Sequence, residues 1–484
     1  MKTINLVPLL MTALVVMGPV PGWAQSDSAM NAVIQRFELL ERRNADLRDQ
    51  LERQNAELRE EVRLIRQELD RFKQPGPGGT ASTSDGAPST AALIEALEEK
   101  VEVNAGRLSE QEQVKVEGSQ RAPLRLTGMA MFDAFTNGRH GGTNDYPGVA
   151  QVNRGPIGAG ASLRGSVIGL AFDSPNTVLG GQFHGAVLLD LFATGNSSST
   201  TGQLTLQPRL RTVTVEGQWG TRSILVGQDK VIFSPREPSS LAAHFLSPLA
   251  AAGNLYGWRP QVRFEQKVGL GTRQDLVAQI GVVETFEDWP LTQPEFASTV
   301  QLRRPALEGH FQFGHRFGDD RRYEIATGFH RSSTYVAQAS IPATLVSVDG
   351  FVKPLRWVEL TGFAFTGKNV GTISGRSFYG FTILRPGPGE ILAIPVRQYG
   401  GWAQATFLVT PRLSFNVQTG LEDPNDDDLI ATAIVRNAAY VANANYRVAP
   451  NVIFGFELSQ VRTRYKAGQH PQNNHYDLYL AYLF

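Results

Sequence analysis

From Arg259 to Lys267 every second residue is polar or charged. Arg259, Gln261, Arg263, Glu265 and Lys267 share one parity, while Val262 and Phe264 share the other. In an extended segment these two sets face opposite ways. Two guanidiniums and an ammonium on one face make an electropositive row. Such a row attracts anions at a distance and hydrogen-bonds carboxylate or phosphate oxygens at contact. Lys230, Arg164 and Arg447 are further cations that could extend it, and Asp229 with Glu237 could supply an acidic counterpart. The plainer reading of each arginine is a pair with a neighbouring carboxylate, and that reading is preferred for Arg209 and Arg211.

Other chemistry is poorly represented. The chain has no cysteine, which removes disulfides, thiolate metal sites and thiol nucleophiles together. No His-Glu-x-x-His or Gly-x-Ser-x-Gly occurs, and His310 and His315 are five apart, so one strand cannot present both on one face. Asp426, Asp427 and Asp428 adjoin one another without the spaced oxygens and glycine of a calcium loop, and read as a solvated loop tip. No catalytic residue, metal or cofactor is nominated. A net charge of zero over 484 residues gives no sign of a nucleic-acid partner.

The elements that must hold the basic row are strands. In 413 to 422, Leu413, Phe415, Val417, Thr419 and Leu421 oppose Ser414, Asn416, Gln418, Gly420 and Glu422. In 451 to 460, Val452, Phe454, Phe456 and Leu458 oppose Gly455, Glu457 and Ser459. In 475 to 484, Tyr476, Leu478, Leu480, Tyr482 and Phe484 oppose His475, Asp477, Tyr479 and Ala481. Repeated alternation with one oily and one polar face suits a barrel in lipid, the alternative being a soluble all-β protein. Candidate strands begin near 124, 160, 181, 208, 222, 258, 273, 297, 309, 321, 346, 357, 398, 413, 433, 451 and 475, which is seventeen. Single-chain bacterial barrels have even numbers. The segment 297 to 317, interrupted by Pro305, is the place where two candidates belong to one bent strand or a strand is missing. The expectation is an all-β transmembrane antiparallel β-barrel of sixteen strands, with eighteen as the alternative, over 122–484. Short turns such as Gly217 to Gly220 and Thr410 to Arg412 alternate with long loops near 137 to 159, 231 to 257, 286 to 296, 368 to 397, 423 to 432 and 466 to 474. That alternation puts the short turns in the periplasm and the long loops outside.

Upstream, residues 1–24 combine Lys2, an apolar run from Ile4 to Met17 and small residues Gly22 and Ala24 before Gln25, the pattern of a cleaved signal peptide. Read instead as a membrane anchor, the run is shorter than the roughly 20 residues a spanning helix needs. Residues 25–73 read as a periplasmic coiled coil. Its narrow stripe includes Asn44, Leu47, Leu51, Asn55 and Leu58, and LERRNADLRDQ at 40 to 50 repeats as LERQNAELREE at 51 to 61, an eleven-residue period. Such a period makes a straighter or locally right-handed coil, and seam asparagines fix register and chain number. The alternative is one solvated helix laced with ion pairs. A flexible linker at 74–90 and a second helical segment at 91–121 lead into the barrel.

Arg209-Leu210-Arg211 opening a strand, Val226-Gly227-Gln228 ending the next with Phe233 close behind, and Arg259-Pro260-Gln261-Val262-Arg263 after a long loop resemble the DcaP-like porins. Signal peptide, coiled coil, linker, barrel and a closing Phe484 follow one another as in that family. The second helical segment at 91 to 111 and the loop 368 to 397 depart from its pattern. The resemblance implies a homotrimer in the bacterial outer membrane, the N-terminal helices in the periplasm, and diffusion of small hydrophilic solutes, with dicarboxylates and related organic anions as the expected class. It also implies that the third extracellular loop, Val231 to Gly257, folds inward to narrow the pore, and that Tyr482 and Phe484 form the signal read by the barrel-insertion machinery. Outer-membrane lipid, lipopolysaccharide and, through the coiled coil, peptidoglycan are the other expected partners. An envelope tether with the barrel as anchor is the second reading, and a barrel enzyme the third.

Overall fold

The computed structural model describes residues 124–484, apart from 143–144, 175–176, 194–206, 244–246, 286–299, 302–304, 319–320, 337–338, 373–379, 388–389 and 391. The expected signal peptide, coiled coil, linker and second helical segment lie outside the described residues. In chain order the strands are β1 Leu124–Asn137, β2 Gly158–Ser162, β3 Val167–Asp173, β4 Gln182–Ala193, β5 Gln207–Trp219, β6 Arg222–Lys230, β7 Trp258–Gly269, β8 Gln274–Val283, β9 Val300–Gln301, β10 Ala306–Arg316, β11 Arg322–Val336, β12 Ala339–Leu355, β13 Val358–Lys368, β14 Phe381–Leu384, β15 Leu392–Pro395, β16 Arg397–Thr410, β17 Leu413–Pro424, β18 Ile434–Ala449, β19 Val452–Tyr465 and β20 Gln472–Leu483.

All pairings are antiparallel, and β20 pairs with β1 over Met129 to Asn137, so the sheet closes. Closure matters because an open edge in lipid would leave backbone groups with neither protein nor water to bond. β2 and β3 both pair with β1 as two halves of one stave. β9 and β10 both pair with β11 in the same way. With β14 and β15 apart as a hairpin, the barrel has sixteen staves. The expected extra strand near 297 to 317 is thus half of an interrupted one, whose second half begins at Ala306 just after Pro305, a residue with no N–H to donate to the ladder. One boundary differs: β12 begins at Ala339 rather than near 346. The extension is held by Ile341, which packs with Val336 against Phe381 and Ile383 of the hairpin.

Face assignment follows the alternation. On β20, Tyr476, Leu478, Leu480 and Tyr482 are about half exposed on the outer surface, while His475, Asp477, Tyr479 and Ala481 are sealed inside. Asn416, Gln418 and Glu422 of β17 and Glu457 of β19 are likewise internal, and Phe415, Val417, Phe454 and Phe456 external. Phe484 closes the ring, exchanging backbone hydrogen bonds with Gly128 at 2.9 and 3.1 Å. The long connections 138–157, 231–257, 369–396 and 425–433 share one end of the barrel. Turns such as Gly220–Thr221, Pro411–Arg412 and Pro450–Asn451 share the other.

Candidate functional site

The loop between β6 and β7, residues 231–257, turns into the barrel and lies against the far wall. Val231, Phe233, Leu249, Ala252 and Leu255 form one buried cluster with Leu345 of β12, Phe363 and Phe365 of β13, Trp402 of β16, Val441 of β18 and Val461 of β19. Sealing these side chains together removes apolar surface from water and gives the loop a defined seat. Polar groups of the wall then satisfy its backbone. The Ser239 N–H donates to Gln404 Oε1 at 2.6 Å, and its carbonyl accepts from Gln418 Nε2 at 2.6 Å and Asn443 Nδ2 at 3.0 Å. Ile232 N–H donates to Glu308 at 2.8 Å, Ser347 Oγ to the Phe233 carbonyl at 2.8 Å, and Asn437 Nδ2 to the Ala251 carbonyl at 2.6 Å. The buried polar residues of β10, β12, β16, β17 and β18 are therefore the loop's anchorage.

Opposite the seated loop stands the basic wall. Arg164 lies in the gap between β2 and β3, where the broken stave releases it from strict alternation. Its guanidinium sits 4.0 Å from the Phe192 ring centroid and pairs with Asp145 at 2.9 Å. Arg209 stands 4.7 Å from the same ring and 5.3 Å from Trp258, and Arg211 4.4 Å from Trp258. Guanidiniums and aromatic rings thus alternate along the wall, each contact contributing about 0.5–2 kcal/mol depending on its hydration. Asp190, fully buried, holds Arg209 at 2.6 Å and lies 3.7 Å from Arg211. Lower down, Arg263 pairs with Asp229 at 3.1 Å, and Lys230 with Glu237 of the loop at 3.3 Å.

Arg209 and Arg211 face inward, although Val215 of the same parity faces outward, because β5 carries a bulge that reverses the alternation: Leu188 pairs with Thr212 and Leu189 with Leu210, leaving Arg211 extra. The extra residue frees carbonyls, and Gln228 Nε2 donates to those of Arg211 at 2.9 Å and Leu210 at 3.2 Å. Gly227 beside it has φ +142, and a Cβ there would overlap the Val213 carbonyl. Gln261 Nε2 donates to the Lys230 carbonyl at 2.7 Å, where the loop departs. The residues of the family resemblance are those that stitch β5, β6 and β7 around the loop base.

Of the residues singled out in the sequence, Arg164, Lys230, Arg259, Arg263, Asp229 and Glu237 come together here. Val262 and Phe264 face outward, and Arg259, Gln261 and Arg263 face the interior. Lys267 does not join them: it lies near the turn end, paired with Glu265 at 3.1 Å and more than half exposed. Arg447 is separate too, at the β18–β19 turn with its guanidinium on the Pro450 carbonyl. Arg209 and Arg211, which the sequence left as ordinary paired residues, are paired and also belong to the wall. Only the bulge puts both inside. Asp190 and the rings of Phe192 and Trp258 were likewise missed. Six basic residues, Arg164, Arg209, Arg211, Lys230, Arg259 and Arg263, stand against four acidic ones, Asp145, Asp190, Asp229 and Glu237. His310 and His315 lie on opposite faces of β10: His310 is buried against Asp349 at 2.7 Å, and His315 stacks on Tyr323.

The barrel is similar to the crystal structure of the outer membrane channel DcaP of Acinetobacter baumannii, with 16% sequence identity and a TM-score of 0.59, covering 75% of this chain and 97% of that one. It is also similar to an anion-selective porin from Comamonas acidovorans, at 11% identity and a TM-score of 0.49 over 75% and 100% of the two chains. OmpT of Vibrio cholerae aligns at 9% identity and a TM-score of 0.45 over 75% and 98%. No family model and no curated protein matches. What the likeness to DcaP shows is the fold, a closed sixteen-stave antiparallel barrel of the outer-membrane type.

Proposed function

We propose that this chain is an outer-membrane porin through which small hydrophilic solutes diffuse down their gradients, with organic anions such as dicarboxylates as the preferred class. The observation that carries this reading is the pairing of a loop fixed across the barrel interior with a wall of six basic and four acidic groups. A solute passing between them meets more positive than negative charge where low-dielectric walls concentrate the field. The arginine forks fit carboxylate oxygens, and their existing carboxylate partners keep binding weak enough for release. Selection is by width and charge, with no bond made or broken. The fold likeness to the DcaP channel and the outer apolar belt support the location, with the short turns in the periplasm.

A homotrimer with a periplasmic coiled-coil stalk completes the proposal. Asn44, Leu47, Leu51, Asn55 and Leu58 would join the chains, and Tyr482 with Phe484 would present the closing signal to the insertion machinery. Purified protein in a planar bilayer under a salt gradient tests it. An anion-directed reversal potential with closures in groups of three is expected. Cation preference would sink the anion assignment and leave a porin. Absence of conductance would favour the tether, which deletion of residues 25–90 should then abolish while a porin lacking them still conducts.

A further inference from the structure

Where the barrel closes, β1 and β20 turn a row of polar side chains inward beneath the loop 138–157. His475 pairs in register with Asn137, Asp477 with Phe135 and Tyr479 with Asp133. Asp477 and Asp133 are therefore diagonal neighbours on one face. Glu457 of β19 lies directly across from Asp477 on its other side. From the loop, the charge of Asp145 bears on Asp133, His475 and Asp477 alike. Phe135 and Tyr146 flank the His475 ring, their centroids 5.9 and 5.6 Å from its own. Asp133, Glu457, His475 and Asp477 are all sealed from solvent.

These groups are short of positive charge. Asp145 is held by Arg164 at 2.9 Å, and Glu457 Oε2 by Ser240 and Asn443. Among the described residues no donor reaches either oxygen of Asp133 or of Asp477, and Glu457 Oε1 and His475 Nε2 are unpaired too. One guanidinium thus answers four carboxylates, three of them away from water, where an uncompensated charge is costly.

The imidazole is oriented as a ligand would be. Asn137 Nδ2 donates to the Gly142 carbonyl at 3.3 Å, which turns its Oδ1 toward His475 Nδ1 at 2.7 Å. That network puts the ring hydrogen on Nδ1 and leaves Nε2 a bare lone pair. Nε2 stands 3.7 Å from Asp477 Oδ2, so two acceptors face each other beyond hydrogen-bond reach. An ion about 2.1 Å from each would hold them at an angle of roughly 120°. An outer partner on the far ring N–H is also the habit of metal-bound histidine.

We propose that His475 Nε2 and the Asp477 carboxylate bind a divalent transition ion of the Zn²⁺ class, with Asp133 as the third ligand and water completing the shell. Imidazole nitrogen beside carboxylate oxygen suits Zn²⁺ better than Mg²⁺ or Ca²⁺. No three such donors stand preassembled among the described residues, so the ion draws Asp133 across the diagonal by side-chain rotation. Once bound, it offsets the acidic excess and joins the last strand to the first, as a staple on the closing seam. The inference needs only the fold and stands whether or not the barrel conducts.

The untagged full chain, stripped with chelator and titrated with Co²⁺ as a coloured stand-in for Zn²⁺, tests it. One ion per chain is expected, with a visible absorption band that Zn²⁺ abolishes by displacement. His475→Gln should lose the band, and Asp477→Asn and Asp133→Asn should each weaken binding at least about tenfold, the lower end of what even outer partners of a metal site contribute. Asp423→Asn, on the outer rim, should change nothing. Heat-modifiable migration identifies variants whose barrel has closed. Absence of stoichiometric Co²⁺ binding by the wild type, which needs no variant, would overturn the proposal. So would unchanged binding by closed His475→Gln, which would mean an ion held elsewhere. A wild type that binds no ion while Asp477→Asn melts higher would overturn it as well, and would mean carboxyls kept neutral by protons.

Discussion

Arg236, on the loop that crosses the barrel, meets Asp349 on the far wall at 2.5 Å, Nε to Oδ1. Its Nη2 donates to Glu324 at 2.7 Å and Gln312 at 2.9 Å, so one side chain joins the loop to β10, β11 and β12. Replacing it leaves Asp349 with His310 alone and Glu324 with Arg322 at 3.3 Å, and removes the one cation that the two carboxylates share. Arg236→Gln is expected to destabilise the loop seat by about 2–3 kcal/mol, toward the low end for breaking an internal ion pair because the guanidinium keeps some water. The check is single-channel recording, where the variant should show frequent short closures and a noisier open level. Asp349→Asn should do less, since Glu324 remains to hold the guanidinium.

Gly253 sits at φ +89 where the loop is pressed onto the wall, and a Cβ there would overlap the carbonyl oxygens of Leu421 and Gly401. Both obstacles are barrel backbone and cannot step aside. Gly253→Ala should therefore lift the loop from its seat, costing roughly 2–4 kcal/mol from backbone strain and lost packing. The closed barrel itself should persist, because its ladder does not pass through this residue. Faster proteolysis within 231–257, with unchanged heat-modifiable migration of the barrel, would establish this. Equal protease resistance would show that the wall can yield.

Removing Arg209 leaves Asp190 with the Phe192 N–H at 3.1 Å and the longer contact to Arg211, and Arg263→Ala releases Asp229. On the porin reading each change moves the wall toward negative charge. The reversal potential in a salt gradient should then shift toward cations, by more for the double variant than for either single one. Arg447→Ala, at the turn end, should leave selectivity unchanged. A shift as large at Arg447 would count against a localised wall.

At the tip between β17 and β18, Asp428 takes Arg397 Nε and Nη2 at 2.8 and 2.9 Å and the Arg397 N–H at 3.0 Å. These bonds favour its ionised form and hold its carboxyl below the ordinary aspartate range. A lowered folded-state value means the contribution to stability is present above the unfolded aspartate value, near pH 4, and is lost as pH falls through the lower folded value. Protease sensitivity of 425–433 should therefore stay constant from neutral pH to about 4 and rise only below that. Asp428→Asn should raise it a few-fold already at neutral pH.

The stave count and the facing of each strand were legible because side-chain alternation has a period of two and the barrel obeys it almost throughout. The surplus candidate near Pro305 came from the same rule, which cannot tell a broken strand from two. Arg209 and Arg211 escaped because a bulge is one residue of phase that the sequence does not mark. The loop's anchors escaped for a different reason. Gln404, Gln418, Asn443 and Glu308 look in sequence like any water-facing polar positions, and only the path of residues 231–257 turns them into buried partners. Arg447 was overestimated because parity gives a face and not a height.

Ser239 donates a hydrogen bond to one strand of the far wall and accepts from two others, while Lys230 and Gln261 hold the loop's root on the near one. The cylinder therefore has a cross-tie, and its walls cannot breathe independently. A sequence change that retunes the passage by altering this loop must also alter the stiffness of the shell, so permeability and mechanical endurance would be inherited together.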